Sequence, residues 1–246
     1  MELINNDYSN EDEGIRRIVR LIKTITSESI TYFDVGANVG NYARDFMLNF
    51  EKGGNALLFE PNAALHGDIK NNTQLSDWNS RVIGVALGQE SGTTKFNIFP
   101  NDIKDLEKGR YRDSSCLEVD PVLHEISTNY DNAESIEVTL DTLDNYAKKI
   151  SRINYLKVDA QGYDLNVLKG SKETLLLQKI DVVSVEFTLA RQYQGQFKLH
   201  ELLAYMDEVN YKLHSVLRLT HTPRGYIYFG DLCFVSTKCW NSLEFN

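Results

Sequence analysis

Apolar residues first recur at helical spacing. Ile15, Ile18, Val19, Ile22 and Ile25 fall three or four positions apart within residues 11–26, which traces one stripe along a helix. Ser9 and Asp12 stand where a cap is expected. The pattern then becomes short apolar runs alternating with helical segments: 30–35 with a helix from Asn41, 56–60 with a helix from Ala63, then 82–87. That rhythm predicts βαβ units and a mostly parallel sheet, hence an α/β fold.

The rhythm breaks after Gly88. Residues 92–99 and 136–140 read as extra strands around a polar stretch, 101–134, with no periodicity of its own. Alternation resumes with a strand at 153–158, a helix over 163–177, a strand at 182–187 and a helix carrying Leu199, Leu202, Leu203 and Met206. Strands at 211–217 and 226–235 close the chain with only a turn near Pro223 to Gly225 between them, which predicts an antiparallel edge pair. The 246 residues read as one domain with an inserted region at about 92–140.

Two strand tips then draw attention. The first strand runs into Asp34-Val35-Gly36-Ala37-Asn38-Val39-Gly40, a glycine turn leading into a helix, and the next ends at Phe59-Glu60-Pro61-Asn62. Ligands of α/β sheets bind at the carboxyl ends of strands, where glycine lets backbone approach them and an acid on the neighbouring tip commonly holds ribose hydroxyls. The spacing Gly36-x-x-x-Gly40 with an acid just ahead is not the G-x-G-x-x-G turn built around a pyrophosphate. An acidic rim suits a ligand with a cationic amine and sulfonium better than one carrying phosphate.

A third tip follows, Lys157-Val158-Asp159-Ala160-Gln161-Gly162-Tyr163-Asp164. Asp159 there is placed to take a proton from an attacking hydroxyl or to orient the acceptor; alternatively, it is an acid stabilising the start of the next helix. Glu186, between Val185 and Phe187, is the alternative base or a ligand for sugar hydroxyls, or a strand-end acid paired with Lys or Arg.

These segments together resemble one family. Asp34 to Gly40, Phe59 to Asn62, Val85 to Gly88 and Leu156 to Gly170 are similar, in order, to the FkbM-type methyltransferases, over about residues 31–187. The resemblance implies a class I, Rossmann-like S-adenosylmethionine fold with a seven-stranded sheet. It places Asp34, Gly36, Asn38 and Gly40 around the methionine part, Glu60 on the ribose, and Asn62 and Ala86 beside them in the cofactor site. It assigns Ser115, Gln161, Tyr163, Arg191 and Tyr193 to the acceptor; Ser114-Ser115 matches a serine pair of the family, although Cys116 departs from its pattern. The implied activity is O-methylation of a sugar, glycan or natural product, with S-adenosylmethionine as cofactor and a small-molecule or carbohydrate partner.

Charge and cysteine content narrow the alternatives. A formal charge of −9 argues against a broad nucleic-acid surface, and no N-P-P-Y-type segment follows the strand at 153–158. A methyltransferase for protein or nucleic acid, a nicotinamide dehydrogenase and an inactive cofactor-binding module stand as rival readings. No apolar run approaches the roughly 20 residues that span a bilayer, and Met1 to Gly14, acidic and polar with no apolar core, does not read as a secretory signal. Cys116, Cys233 and Cys239 form no disulfide framework, which predicts reduced thiols and a cytoplasmic location. His66, His124, His200, His214 and His221 show no metal-ligand spacing, so no metal site is expected; His124, in the long insertion, and His221, near the final hairpin turn, are in reach of an acceptor but are not taken as catalytic candidates. The stretch 101–134, with Lys104, Lys108, Arg110, Tyr111 and Arg112, reads as a lid over the cofactor, a surface excursion or a homodimer contact.

Overall fold

The computed structural model describes residues 11–99, 113–121 and 134–244. Seven strands form the main sheet in the order β3-β2-β1-β7-β8-β10-β9: β1 is Ile30–Val35, β2 Gly54–Phe59, β3 Trp78–Ile83, β7 Ile153–Val158, β8 Ile180–Thr188, β9 Tyr211–His221 and β10 Ile227–Ser236. Every pairing is parallel except those of β10, which runs against both β8 and β9. The hairpin expected at the carboxyl end of the chain is present, with β9 at the sheet edge. A second sheet, β4-β6-β5, is built from Ala86–Leu87, Glu134–Asp141 and Gly92–Ile98, so the two extra strands pair with each other in antiparallel register.

The central strands carry apolar side chains on both faces because helices cover both. Successive residues go to opposite sides: Phe33, Val35 and Leu156 join one core, while Ile30, Tyr32 and Tyr155 join the other. Parallel register puts Tyr32 beside Tyr155, and their rings stack 5.3 Å apart. The second core also takes in the stripe of helix α1, Glu11–Ile25, where Ile15, Ile18, Val19 and Ile22 are buried. Ser9 lies outside the described residues.

Two sequence expectations need correction. The third parallel strand is Trp78–Ile83, not 82–87; it is the other edge of the sheet, so its polar Asn79 and Arg81 face water and hide the strand from an apolar-run reading. Ala86 and Leu87 leave for the second sheet. The helix expected over 163–177 is two short ones, Asp164–Lys169 and Lys172–Leu176, broken where Gly170 meets the backbone of Gly88 so closely that a Cβ would lie 1.8 Å from its carbonyl oxygen. The helix expected to carry Leu199, Leu202, Leu203 and Met206 is present as Leu199–Glu208, with Leu202 and Met206 buried and Leu203 exposed. Short helices at Leu143–Ala147 and Thr237–Glu244 were not expected. No described helix is long and apolar enough to cross a membrane. The lid reading of 101–134, with His124, falls outside the described residues except for 113–121 and Glu134.

Candidate active site

Strand order reverses about β1, whose neighbours are β2 on one side and β7 on the other. Such a switch point opens a crevice at the carboxyl ends of the strands. Its floor is Asp34, 0% exposed, and no hydrogen bond of good geometry reaches either of its oxygens. Its cation is Lys157, with Nζ 3.4 Å from Oδ1. Burial raises the Asp34 pKa against that lysine. A buried carboxylate so thinly satisfied fits a ligand that brings a positive charge or donors of its own.

The glycine turn wraps this floor. Gly36 has φ 79° and packs against the Asp159 backbone, Asn38 has φ 50°, and Gly40, φ 81°, precedes the helix Asn41–Met47. On the next tip, Glu60 accepts from the backbone N–H of Asn38 (2.9 Å) and of Asn62 (2.8 Å), so one carboxylate ties both loops together. Burial pushes its pKa up to about 7, despite those two N–H donors. Each of its oxygens keeps a lone pair for a further donor. Asn62 is 4% exposed and caps the 3₁₀ turn Ala63–Leu65, and Ala86 is buried among Phe96, Ile98, Val138 and Leu140.

Asp159 and Glu186 rise from β7 and β8 beside this floor. Lys157 Nζ is 3.3 Å from Asp159 Oδ2, so one lysine serves both Asp34 and Asp159. Gln161 Nε2 donates to Asp159 Oδ1 at 2.8 Å and to Glu186 Oε2 at 3.0 Å. Val185 and Phe187 are in the core, as the alternation required, which leaves Glu186 on the crevice side. There it meets Arg218 of β9 at 3.2 Å, and Arg218 Nε is 2.7 Å from Asp231 of β10. The acid is therefore both a crevice group and one partner of an arginine.

Acceptor-side residues divide. Gln161 joins the acid pair, and half-buried Tyr163 packs against the second sheet beside Ala86. Ser115 does not reach into the crevice: it is 0% exposed, its hydroxyl donates to the Gln161 carbonyl at 2.7 Å and accepts from the Leu117 N–H. Tyr193 is buried with Phe99 and Val119, its hydroxyl proton shared between the Asp113 carbonyl and Gln161 Oε1. Arg191 lies apart from the acids, paired with Asp120 at 2.9 Å, on a cleft of about 710 Å³ lined also by Thr188, Phe197, Lys198 and Leu203. Backbone hydrogen bonds stitch 113–121 to β5 at Asn97 and to the 189–197 loop at Gln192 and Gln194.

Lys157, Arg218, Asp231 and Asp164 were missed as site residues. Asp164, 1% exposed, accepts from the N–H groups of Ala160 and Gly162 and so shapes the turn around Gln161. A lysine inside the apolar run of β7 was the available signal for Lys157. Among the described residues, no cluster of three or more His, Cys, Asp or Glu side chains is arranged to hold a metal ion.

Comparison with solved structures gives the same architecture. Magnesium protoporphyrin IX methyltransferase from Synechocystis PCC 6803, solved with bound S-adenosylmethionine, aligns over 92% of this chain and 79% of its own at a TM-score of 0.50 and 10% identity. An rRNA methylase from Streptococcus thermophilus covers 93% of this chain and 99% of its own at 0.49 and 9% identity, and precorrin-6y C5,15-methyltransferase from Geobacter metallireducens GS-15 covers 94% and 93% at 0.47 and 7%. At such identities the likeness concerns fold alone. No curated protein matches by sequence. The family model for the methyltransferase FkbM domain matches residues 34–213, from the Asp34 tip through β8 into β9. The chain belongs to the FkbM methyltransferase family, and it is an S-adenosylmethionine-dependent methyltransferase of the class I fold.

Proposed function

We propose that the protein is an O-methyltransferase acting on a hydroxyl of a sugar, glycan or natural product. One observation carries the reading: Lys157 stands between Asp34 on the cofactor side and Asp159 on the acceptor side, so the two half-sites share a wall. When bound, S-adenosylmethionine supplies a sulfonium methyl, which the acceptor oxygen takes as the carbon–sulfur bond breaks and its electron pair returns to sulfur.

This chain's residues then have separate tasks. Asp34, short of hydrogen bonds, would hold the cationic methionine end, with Gly36, Asn38 and Gly40 lending backbone. Glu60 would hold ribose through its remaining lone pairs, and Asn62 and Ala86 would flank the nucleoside. Asp159, kept ionised by Lys157 and Gln161, would take the hydroxyl proton as oxygen attacks. Glu186, whose pKa burial and the neighbouring Asp159 and Asp231 charges raise well above the usual range, would hold its proton and donate to an acceptor oxygen. Tyr163 and Arg191 would bound the acceptor, Arg191 at the more distant cleft. Aligning oxygen, carbon and sulfur in one crevice can lower the barrier by about 7–11 kcal/mol.

The test has two arms. Calorimetric titration with S-adenosylhomocysteine and with NADH should show binding of the first only; no S-adenosylhomocysteine binding at millimolar concentration ends the cofactor assignment. Transfer of a tritiated methyl group is then measured on panels of saccharides, polyketide alcohols, RNA and protein. Label on hydroxylated small molecules or glycans supports the reading, label on RNA or protein replaces it, and binding without turnover on any panel points to a recognition module.

A further inference from the structure

We propose that Gln161 is a positioning residue whose amide clamps Asp159 and Glu186 into one acid–base unit at the acceptor end of the crevice. The task of that unit in methyl transfer rests on the function proposed above, whereas the clamp stands on geometry alone. A single nitrogen, Nε2, directs its two hydrogens at two carboxylates, 2.8 Å to Asp159 Oδ1 and 3.0 Å to Glu186 Oε2. The two acids come from neighbouring strands, and nothing in strand pairing alone fixes the distance between their side chains.

Gln161 is itself held from several directions. Its φ of 50° is a left-handed conformation, in which a Cβ crowds the following carbonyl and which a residue other than glycine adopts only where its surroundings hold it. Asp164 fixes the N–H groups on either side of it, at Ala160 and Gly162. Ser115 holds its carbonyl from the segment after β5, and the Tyr193 hydroxyl lies 3.2 Å from Oε1 on the acceptor loop. That last contact occupies the amide oxygen and orients the amide so that nitrogen faces the acids. A glutamine whose role was solubility would need none of these restraints.

Charges arranged around the pair explain what the clamp accomplishes. Asp159 has Lys157 on its other oxygen, with Asp34 of β1 sharing that lysine. Glu186 has Arg218 of β9 on its other oxygen, with Asp231 of β10 sharing that arginine, and Asp164 adds a further acid nearby. Burial alone would raise the Asp159 pKa, yet Lys157 and the Gln161 amide outweigh it and hold this carboxyl below its ordinary value. Glu186 is pushed the opposite way. Without the bridging nitrogen, two neighbouring carboxyls would close on each other and share a proton, as paired carboxylates do, and the base would be partly blocked.

Gln161→Asn tests this without an acceptor in hand. Asparagine tolerates the left-handed backbone but is one methylene too short to span both acids. Carboxyl carbons labelled with ¹³C, assigned through Asp159→Asn and Glu186→Gln, are titrated by NMR in the full-length protein. The Asp159 titration should move up by about one pH unit or more in Gln161→Asn. Gln161→Leu, which removes the donors outright, should give the same shift and serves if the asparagine variant does not fold. Titrations superimposable on wild type, in a variant that melts normally, overturn the clamp. S-adenosylhomocysteine affinity should stay within about twofold of wild type. If that ligand fails to bind even the wild type while the titrations shift as stated, the functional reading falls and the clamp stands.

Discussion

A side-chain carbon on Gly36 would lie 1.9 Å from the backbone oxygen of Asp159. The turn after β1 and the turn after β7 are thus in backbone contact, and Asp159 N–H donates to the Val35 carbonyl at 3.0 Å just beneath. Position 36 needs glycine twice over, for its φ of 79° and for that approach. Gly36→Ala should therefore lose at least about 2 kcal/mol in urea unfolding, the left-handed strain plus displacement of the β7 turn. It should also weaken S-adenosylhomocysteine binding more than about tenfold, or about 1.4 kcal/mol, in calorimetry. A variant as stable and as tight as wild type would mean that the two turns move independently.

Lys157 is the next point of leverage, because it is the counter-ion of Asp34 and of Asp159 together. Removing one partner of a buried pair leaves uncompensated charge, a loss of about 3–5 kcal/mol; the lower end applies because the Asp159 side chain is 29% exposed. In Lys157→Met both acids bind protons more tightly, so the penalty should be large at pH 8 and fade towards pH 4, where the carboxyls are neutral. Urea unfolding of wild type and variant at the two pH values measures it. An equal penalty at both would assign Lys157 to packing over the Tyr42 ring, 5.0 Å away, instead of to charge.

The parts of this site that could be read from the chain are those that local order dictates. Asp34, Glu60 and Asp159 end apolar runs, and a strand-end acid in an α/β order has one place to go. Glu186 followed from the alternation of Val185 and Phe187. The edge strand Trp78–Ile83 was misplaced because one side of it meets water, which removes the apolar signal, and the helix break at Gly170 depends on the Gly88 backbone, 82 positions earlier in numbering. Arg218 is 32 residues from Glu186 and 13 from Asp231; only hairpin register brings the three together, and no spacing rule announces it. Ser115 was recognised by its motif, yet burial gives its hydroxyl to the Gln161 carbonyl instead of to a ligand.

Cofactor binding should release protons near neutral pH. Glu60 has its pKa pushed up to about 7 by burial, and Asp34 is raised by the same cause. A ligand ammonium beside Asp34 and ribose hydroxyls donating to Glu60 favour the ionised forms, lower both pKa values and expel protons. S-adenosylhomocysteine affinity should therefore rise from pH 6 to pH 8, and its calorimetric enthalpy should differ between phosphate and Tris in proportion to protons released. For the ligand-free protein the sign is reversed. The Glu60 pKa lies above its unfolded value, so its contribution to stability is complete below about pH 4 and is lost as pH rises through about 7. A melting temperature that climbs over that interval in the Asp34→Asn variant, which removes the neighbouring charge, would contradict the assignment to Glu60.

Arg218 gives the most discriminating prediction, since it joins the edge hairpin to the acid pair. Its guanidinium lies 3.2 Å from Glu186 Oε1 and 2.7 Å from Asp231 Oδ2, and 4.9 Å over the Phe229 ring. A planar fork can satisfy two carboxylates and a ring face at once, whereas a lysine is a single point charge. Arg218→Lys should retain the net charge yet lose one of the two contacts, and Arg218→Met should lose both. If the arginine acts by geometry, the lysine variant will resemble methionine, with Glu186 holding its proton to still higher pH in the carboxyl titration and the β9–β10 hairpin exchanging amide hydrogens faster. If it acts by charge alone, lysine will behave as wild type in both measurements. The distances favour the first outcome: Asp231 spans Nε, at 2.7 Å, and Nη2, at 3.4 Å, while Glu186 meets the same Nη2 at 3.2 Å, an arrangement over two nitrogens that one ammonium group cannot reproduce.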